Sequence, residues 1–273
     1  MLMRLFILIT EIKKDKDLEE KLLGREGKVD EVKMFKSTKE YSNLFSDYKK
    51  LMSSAMEGHE VSSRYLNEYV QVTHERITPA EIQIFHDLFA EECENIEKFS
   101  VFLTNLIQNN YNAGNNNFEF TILDNLSSYC IRLIGSEYDP LIIKVNGNMS
   151  TNAFFECTNV DLHCLGNVYE YLGFQAYDSK FLIEGDAVDV GQIATNCTFI
   201  LHGNIGIRPG EKAKDCIFKA KNMEDVKLLH KDVNNGNHVY FIDADGKDHL
   251  IRDEWGGQDD DMGYDRIKKL LSH

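Results

Sequence analysis

The sequence contains little proline and little glycine, with 3 and 18 residues respectively among 273. This scarcity excludes collagen-like and proline-rich architectures. Long apolar runs are also missing. The run nearest the start, Leu5–Ile9, spans five residues between Arg4 and Glu11, whereas a membrane-spanning helix needs about 20 and a signal-peptide core about 7 or more. We interpret it as a buried strand and expect a soluble, cytoplasmic protein.

Basic residues are outnumbered, with 30 Lys and Arg against 45 Asp and Glu, a net charge of −15 and a pI near 5.0. Nucleic acids and anionic membranes repel a polyanion, so we expect neither as a partner. Hydrophobic residues at 42% and aromatic residues at 11% supply enough core material to exclude wholesale disorder.

Sequence signatures of catalysis are missing as well. The chain has no HExxH, Walker, GxSxG or GxGxxG element, and no Cys or Ser has a base at a recognisable spacing. The three Asn-x-Ser/Thr sequons, at Asn125, Asn148 and Asn196, match composition rather than glycosylation in a chain without a secretory signal. The six cysteines form no CxxC pair, so we expect reduced, core-filling thiols; they are Cys93, Cys130, Cys157, Cys164, Cys197 and Cys216.

Metal-binding candidates are weak. His163 and His202 fall at outward positions of the repeat described below, which favours a solvated face over a metal site. The Asp243-x-Asp245-Gly246 segment lacks the rest of a calcium loop and reads as a turn. We therefore expect no catalytic, cofactor or metal site. A last group of carboxylates surrounds Trp255, which anchors this tail either to the solenoid or to a partner; the acidic residues are Asp253, Glu254, Asp259, Asp260 and Asp261.

The chain divides into three regions. Residues 1–112 form a mainly helical module, whose clearest signal is the capping box Thr78-Pro79-Ala80-Glu81. A single apolar stripe then runs to the Asn-rich stretch 109–117, which ends this helix and links it to the next region. Residues 223–273 form a C-terminal cap with a hairpin over 238–251, an acidic linker and a short helix over 264–271. The stripe comprises Phe85, Leu88, Phe89, Cys93, Ile96, Phe99, Leu103 and Leu106.

The middle region, residues 113–222, contains a repeat. A glycine followed by Asn or Asp recurs with spacings of 19, 19 and 18 residues, at Gly147, Gly166, Gly185 and Gly203. We call the segments that begin at these glycines the first to fourth coils, and we number positions from the glycine, with one deletion in the third coil. Position sixteen is Leu162, Phe181, Phe199 and Phe218; position thirteen is Asn159, Asp178, Asn196 and Asp215.

Such columns are what a β-solenoid requires, because each coil stacks on the last and like side chains form ladders. Positions sixteen and eighteen are two residues apart, so they share one face of a strand. Asn and Asp at position thirteen tolerate the left-handed backbone of a turn. A six-residue subperiod is not visible, which favours a right-handed solenoid over a left-handed hexapeptide one.

The run from Gly166 to Ala176, followed by Gly185-Asp186, resembles the GXGXG β-helix repeat. That repeat forms the C-terminal domain of the glutamate synthase large subunit and one of the subunits of formylmethanofuran dehydrogenase. The family's glycine at position eight is matched by Gly173, Gly191 and Gly210, but Phe154 replaces it in the first coil. The resemblance implies a structural, non-catalytic domain. Position four keeps the family's glycine in Gly206 alone, since the other coils have Ser150, Tyr169 and Val188.

The sequence therefore predicts an α+β protein: a helical module, a short right-handed β-helix of about 19 residues per coil, and a C-terminal hairpin and short helix. Its expected role is a non-catalytic scaffold that binds another protein or a second copy of the chain. The alternative is a subunit of an oxidoreductase complex of the glutamate synthase or formylmethanofuran dehydrogenase type, by analogy with the proteins that carry the repeat.

Overall fold

A computed structural model describes Leu44, Tyr48 and residues 77–89, 96–122, 132–149, 152–232 and 235–252. Several sequence predictions lie outside these residues. They are the strand at Leu5–Ile9, Cys93, Cys130, the Asn125 sequon, the acidic linker with Trp255, and the final helix.

Between residues 77 and 122, the described part of the chain contains two helices ahead of the sheet, α1 (Pro79–Phe89) and α2 (Ile96–Asn112). The capping box is confirmed, because the Thr78 backbone N–H donates to Glu81 Oε2 at 2.7 Å and the Glu81 N–H donates to Thr78 Oγ1 at 3.3 Å. The apolar stripe does not lie on one straight helix, however. The Phe85 and Phe99 rings stack with centroids 6.1 Å apart, whereas 14 residues of continuous helix would separate them by about 21 Å.

The stripe residues whose side chains the structure describes are buried as predicted, but between two helices that face each other. Phe85, Phe99 and Leu103 are fully buried. The Tyr48 ring packs edge-on against the Phe85 ring, with their centroids 5.4 Å apart. The Asn-rich stretch is shorter as a linker than we predicted, since α2 continues into it. Gly114, with φ of 98°, ends the helix in a Schellman motif, in which the Asn115 N–H donates to the Asn110 carbonyl.

One eight-stranded sheet follows, with its strands in sequence order. Strands β1 to β7 pair in parallel, and β7 and β8 form the predicted antiparallel hairpin. A third helix, α3 (Met223–Asp232), precedes the hairpin and was not predicted. The strands are β1 (Asn117–Thr121), β2 (Leu141–Asn146), β3 (Val160–Cys164), β4 (Lys180–Ile183), β5 (Thr198–Leu201), β6 (Ile217–Ala220), β7 (His238–Ile242) and β8 (Asp248–Arg252).

The structure confirms the solenoid of about five turns with about 19 residues per turn. Like residues pair as the columns require: Leu162 with Phe181, Phe181 with Phe199, and Phe199 with Phe218. The three Phe rings stack with centroids 4.9 and 5.0 Å apart. Position thirteen is left-handed in every coil, with φ between 48° and 54°.

The glycines at position one allow successive coils to approach closely. A Cβ on Gly166 would lie 2.2 Å from the Gly147 carbonyl oxygen, and a Cβ on Gly203 would lie 2.4 Å from the Gly185 carbonyl carbon. Such distances are too short for any side chain. The repeating glycine is therefore a packing requirement of the stack.

The next residue of each coil forms a side-chain ladder along the stack. Asn148 Oδ1 accepts the Asn167 N–H at 2.8 Å, Asn167 Oδ1 accepts the Asp186 N–H at 2.8 Å, and Asp186 Oδ1 accepts the Asn204 N–H at 2.7 Å. The ladder ends at Asn222, whose Nδ2 donates to Asn204 Oδ1 at 3.1 Å and whose Oδ1 accepts the Glu224 N–H at 2.9 Å. Its last rung therefore caps the N-terminus of α3.

Both ends of the solenoid are covered, as the exposed strand edges of a short solenoid require. Helix α1 packs on β1, and the Thr121 N–H donates to Gln83 Oε1 at 3.1 Å. At the other end α3 packs against β6 and β7, and the hairpin adds its strands to the sheet. Helix α1 and the hairpin with α3 thus lie at the two ends, where we predicted caps.

Positions eight and sixteen exchange volume between coils. A Cβ on Gly173 would lie 3.0 Å from the Phe181 ring, and a Cβ on Gly191 would lie 2.7 Å from the Phe199 ring. The first coil reverses this arrangement, because Phe154, fully buried with φ of 55°, stands at position eight and the smaller Leu162 at position sixteen. In each of these coils, one large side chain fills the space between the two positions, and either position can supply it.

We predict that Phe154→Gly and Leu162→Phe compensate each other. Phe154→Gly alone should lower the free energy of unfolding by about 3–5 kcal/mol through a cavity, and Leu162→Phe alone by about 1–3 kcal/mol through overpacking. Urea unfolding of the double variant should show a stability nearer to the wild type than the sum of the two losses. Strictly additive losses would contradict the exchange.

Candidate functional site

The outer face of the sheet is formed by positions fifteen, seventeen and nineteen, since alternate residues of each strand are buried. Four aliphatic side chains cross this face, and we call them the diagonal stripe: Leu165, Leu182, Ile200 and Ile217. Leu182 and Ile200 are direct partners on β4 and β5, while Leu165 and Ile217 lie diagonally beyond them. Leu165 is 43% exposed, and the other three are half-buried.

The stripe has a definite length. Its ends are three strands apart at about 4.8 Å each and four residues apart along the strands at about 3.3 Å each. The diagonal is therefore about 20 Å, the length of a helix of about 13 residues. A flat, partly exposed aliphatic diagonal of this kind is suited to an apolar helix face.

A polar cluster borders the stripe and joins three coils. A carboxylate oxygen of Glu184 lies 3.2 Å from His163 Nε2, and its other oxygen lies 2.7 Å from His202 Nδ1. Hydrogen bonding to His202, and then to His163, lowers the pKa of Glu184. The two histidines lie on the partly solvated face that we predicted, but their link through Glu184 was missed. The signal was available, because Glu184 and His202 share position nineteen on adjacent coils.

Two further pairs of charged side chains lie on the outer face. Lys144 Nζ lies 2.9 Å from Glu119 Oε1, which lowers the pKa of Glu119. Lys219 binds Asp248 and lies 5.5 Å from the centroid of the Tyr240 ring. These pairs neutralise charge near the diagonal stripe, so the stripe is the distinctive feature of the outer face.

Metal chemistry finds no support in the part of the chain that the structure describes. No group of three or more His, Cys, Asp or Glu side chains there is arranged to hold a metal ion. The Asp243 carboxylate is occupied by its own turn: Oδ1 accepts the Asp245 and Lys247 N–H groups at 3.0 and 2.8 Å, and Oδ2 lies 2.6 Å from His249 Nε2. The segment is thus a turn, as predicted, and not half of a calcium loop.

Two sequon asparagines have their side chains hydrogen-bonded between coils. Asn148 Oδ1 is a rung of the ladder described above, and Asn196 Nδ2 donates to Asp178. Glycosylation attaches at Nδ2, so a glycan on Asn196 would crowd its contact with Asp178, which favours the interpretation of that sequon as composition.

The four described cysteines are free and buried. Burial raises the pKa of Cys157 to about 12 and that of Cys164 to about 11. The hydrogen bond with Cys216, together with burial, also raises the pKa of Cys197. Cys157, Cys164 and Cys197 therefore remain protonated, and they lack the thiolate character that nucleophilic chemistry needs.

Position fourteen does more than fill space, which corrects our prediction of apolar fillers. Its side chains accept the backbone N–H of the equivalent residue one coil earlier. Ser179 Oγ accepts from Val160 at 3.1 Å, Cys216 Sγ accepts from Cys197 at 3.4 Å, and Asn237 Oδ1 accepts from Cys216 at 2.8 Å. The buried start of each of these strands is satisfied by a side chain rather than by the backbone.

We predict that Cys216→Ser and Cys216→Val differ in stability. Serine keeps an acceptor for the Cys197 N–H, whereas valine, which fits this column at Val160, leaves that N–H buried and unpaired. Urea unfolding should show Cys216→Val to be less stable than Cys216→Ser by about 1–3 kcal/mol. Equal midpoints would show that the thiol serves only as a filler.

Asp225 on α3 has a carboxyl group whose pKa is raised. Burial is the main cause, with smaller contributions from the carboxylates of Asp186 and Glu224. The side chain is 4% exposed, and its Oδ2 has no hydrogen-bond partner in the structure. The folded protein therefore binds a proton here more readily than the unfolded chain does, so this group costs stability as pH rises from its ordinary pKa near 3.8 through the folded value.

We predict that Asp225→Asn raises the melting temperature at pH 7 by about 2–4 °C. The gain should shrink as pH falls and vanish well below pH 3.8, where the wild-type carboxyl is protonated in both states. Calorimetry across pH measures this, with Asp215→Asn as the control, since Asp215 is exposed and asparagine occupies its column at Asn159. A gain that is independent of pH would contradict the assignment.

Comparison with known proteins places this chain in no family: no family model matches it, and neither the curated proteins nor the solved structures gave a match. Among the described residues, no helix is long and apolar enough to cross a membrane.

Proposed function

We propose that this protein is a non-catalytic scaffold that binds a helix of another protein on the diagonal stripe. The observation that carries this proposal is the stripe itself: aliphatic side chains of adjacent strands form one continuous diagonal on a face directed away from the core. Most other aliphatic side chains of the parallel strands fill the interior, with Ile142 on β2 as an exposed exception. An apolar surface that is continuous and rimmed by polar groups is typical of an interaction site.

The supports for a scaffold are architectural. The covered ends direct binding to the sides of the solenoid, and the ladders hold the outer side chains in fixed register. The resemblance to the GXGXG repeat supports the same role, since the domain is structural in those families. Gly173 and Gly191, which match the family's glycine at position eight, each lie against a Phe ring that leaves little room for a side chain. Membership in an oxidoreductase complex remains a proposal that rests on the resemblance alone.

The test compares full-length baits in an extract of cells that express the protein. Leu182→Glu with Ile200→Glu places two charges on the stripe, and the control, Ile134→Glu with Tyr138→Glu, adds the same charges where the side chains are 57% and 92% exposed. We predict that a protein captured by the wild type and the control is lost at least tenfold with the stripe variant, measured by quantitative mass spectrometry.

Two results would overturn the proposal: the same proteins captured by all three baits, or no protein enriched over an empty matrix. Circular dichroism must first show that the variants keep the wild-type fold. Light scattering of the purified chain identifies the case in which the captured protein is a second copy.

A further inference from the structure

One short segment of the third coil, Asp189–Ile193, concentrates features that the solenoid itself does not need. The deletion in this coil lies at its start. Three residues lie between Val168 and Leu172 in the second coil, but only two lie between their bridge partners Ala187 and Val190 in the third. The chain takes a shorter path here, so the neighbouring coils project on both sides of the segment.

Two buried polar groups of the segment lack partners. Asp189 is 3% exposed and Gln192 is 5% exposed. Arg208 Nη2 donates to Asp189 Oδ2 at 3.2 Å, but Asp189 Oδ1 and Gln192 Nε2 have no hydrogen-bond partner in the described structure. Buried polar groups are nearly always hydrogen-bonded. A bound group that both donates and accepts hydrogen bonds would therefore satisfy the Asp189 acceptor and the Gln192 donor.

Ile193 adds backbone strain at an exposed site. Its φ is 58°, and its side chain is 40% exposed. A β-branched residue in the left-handed region is an outlier, and such strain collects at functional sites. The other residues at this position, Glu156, Gln175 and Lys212, are unbranched at Cβ. Ile193 thus contributes little to the core while it strains the turn.

The neighbouring coils supply the side chains of a protein interface. Tyr171 and Phe174 of the second coil are half-buried and are the register neighbours of Asp189 and Gln192. On the fourth coil, Ile207 is 63% exposed and Arg208 is half exposed. Tyr, Phe and Arg are enriched in protein interfaces, whereas exposed isoleucines have no use in binding a small polar solute.

We propose that Asp189–Ile193 docks an extended segment of a partner protein, whose amide N–H donates to Asp189 Oδ1 and whose amide carbonyl accepts from Gln192 Nε2, while an apolar side chain covers Ile193. In an extended segment the N–H and the C=O of one residue point to the same side, so a single residue can supply both the donor and the acceptor. Both unpaired atoms are closed to solvent, so a side chain over them must move to admit the segment, and we expect it to be the half-exposed Arg208, which contacts Asp189.

This docking site goes beyond the proposed function. It uses positions six to ten of the coil, whereas the diagonal stripe uses positions fifteen to nineteen. The protein would then hold two different segments, a helix on the sheet face and an extended segment at the third coil. The two surfaces are tested separately, so the proposal for one can be overturned while the proposal for the other is upheld.

The test selects a phage-displayed library of random 12-residue peptides on the immobilised full-length chain, and measures the affinity of the enriched peptides by fluorescence polarisation. Gln192→Leu removes the donor at nearly constant volume and should weaken binding about tenfold or more. Ile193→Asn should weaken binding and raise the melting temperature, because asparagine tolerates a left-handed backbone. A purely structural role of Ile193 predicts the rise in melting temperature without the loss of affinity.

Two controls define the surface. Ile134→Asn makes the same change at another exposed isoleucine and should leave affinity unchanged, and the stripe variant Leu182→Glu with Ile200→Glu should also bind normally. If Gln192→Leu does not fold, Ile193→Asn alone decides. The proposal is overturned if no peptide binds with a Kd below 1 mM, or if the enriched peptides bind Gln192→Leu and Ile193→Asn as tightly as the wild type.

Discussion

The structure depends on how closely successive coils can approach at position one. There, backbone meets backbone at distances that leave no room for a Cβ, as at Gly166 and Gly203. Once the coils are held at strand spacing, all the remaining positions of one coil lie over their equivalents in the next. The Phe stack, the Asn/Asp ladder and the hydrogen bonds at position fourteen are consequences of that single register. A larger residue at position one would separate two coils and disrupt all the ladders together.

What could be predicted from the sequence was whatever repeats along the chain. The glycine spacing, the Phe column and the left-handed Asn/Asp column are each visible because the same constraint acts four times. What could not be predicted arises from contacts that occur once. The reversal between α1 and α2 leaves the 3.6-residue pattern of Phe85 to Leu106 unchanged, so periodicity cannot distinguish two packed helices from one. Column membership places Glu184 beside His202, but the second contact of Glu184, with His163 two positions away, depends on a side-chain conformation that column membership does not specify.

The cysteines show how side-chain chemistry can be misjudged from size alone. At position fourteen, valine, serine and cysteine have similar volumes, which suggested a filler. Their positions at the start of each strand, however, place a buried backbone N–H against them. Ser179, Cys216 and Asn237 differ in chemistry but share an acceptor, and that is the property the column retains. Val160, at the start of the column, can lack an acceptor of its own, because the N–H of Leu141, its partner on β2, donates to the Asn159 carbonyl instead.

The side-chain ladder that ends as the cap of α3 makes the molecule modular in units of one coil. The interior boundaries between coils share the glycine contact and the Asn/Asp ladder, whereas the two ends differ, one closed by α1 and the other by α3 and the hairpin. A whole extra coil inserted in the middle would therefore meet complementary surfaces above and below, and would lengthen the solenoid by one strand spacing without altering either end. An insertion of another length would have to be absorbed within its own coil, as the one-residue deletion in the third coil is, because the later residues there keep their columns. The height of such a solenoid can thus change only in steps of one coil.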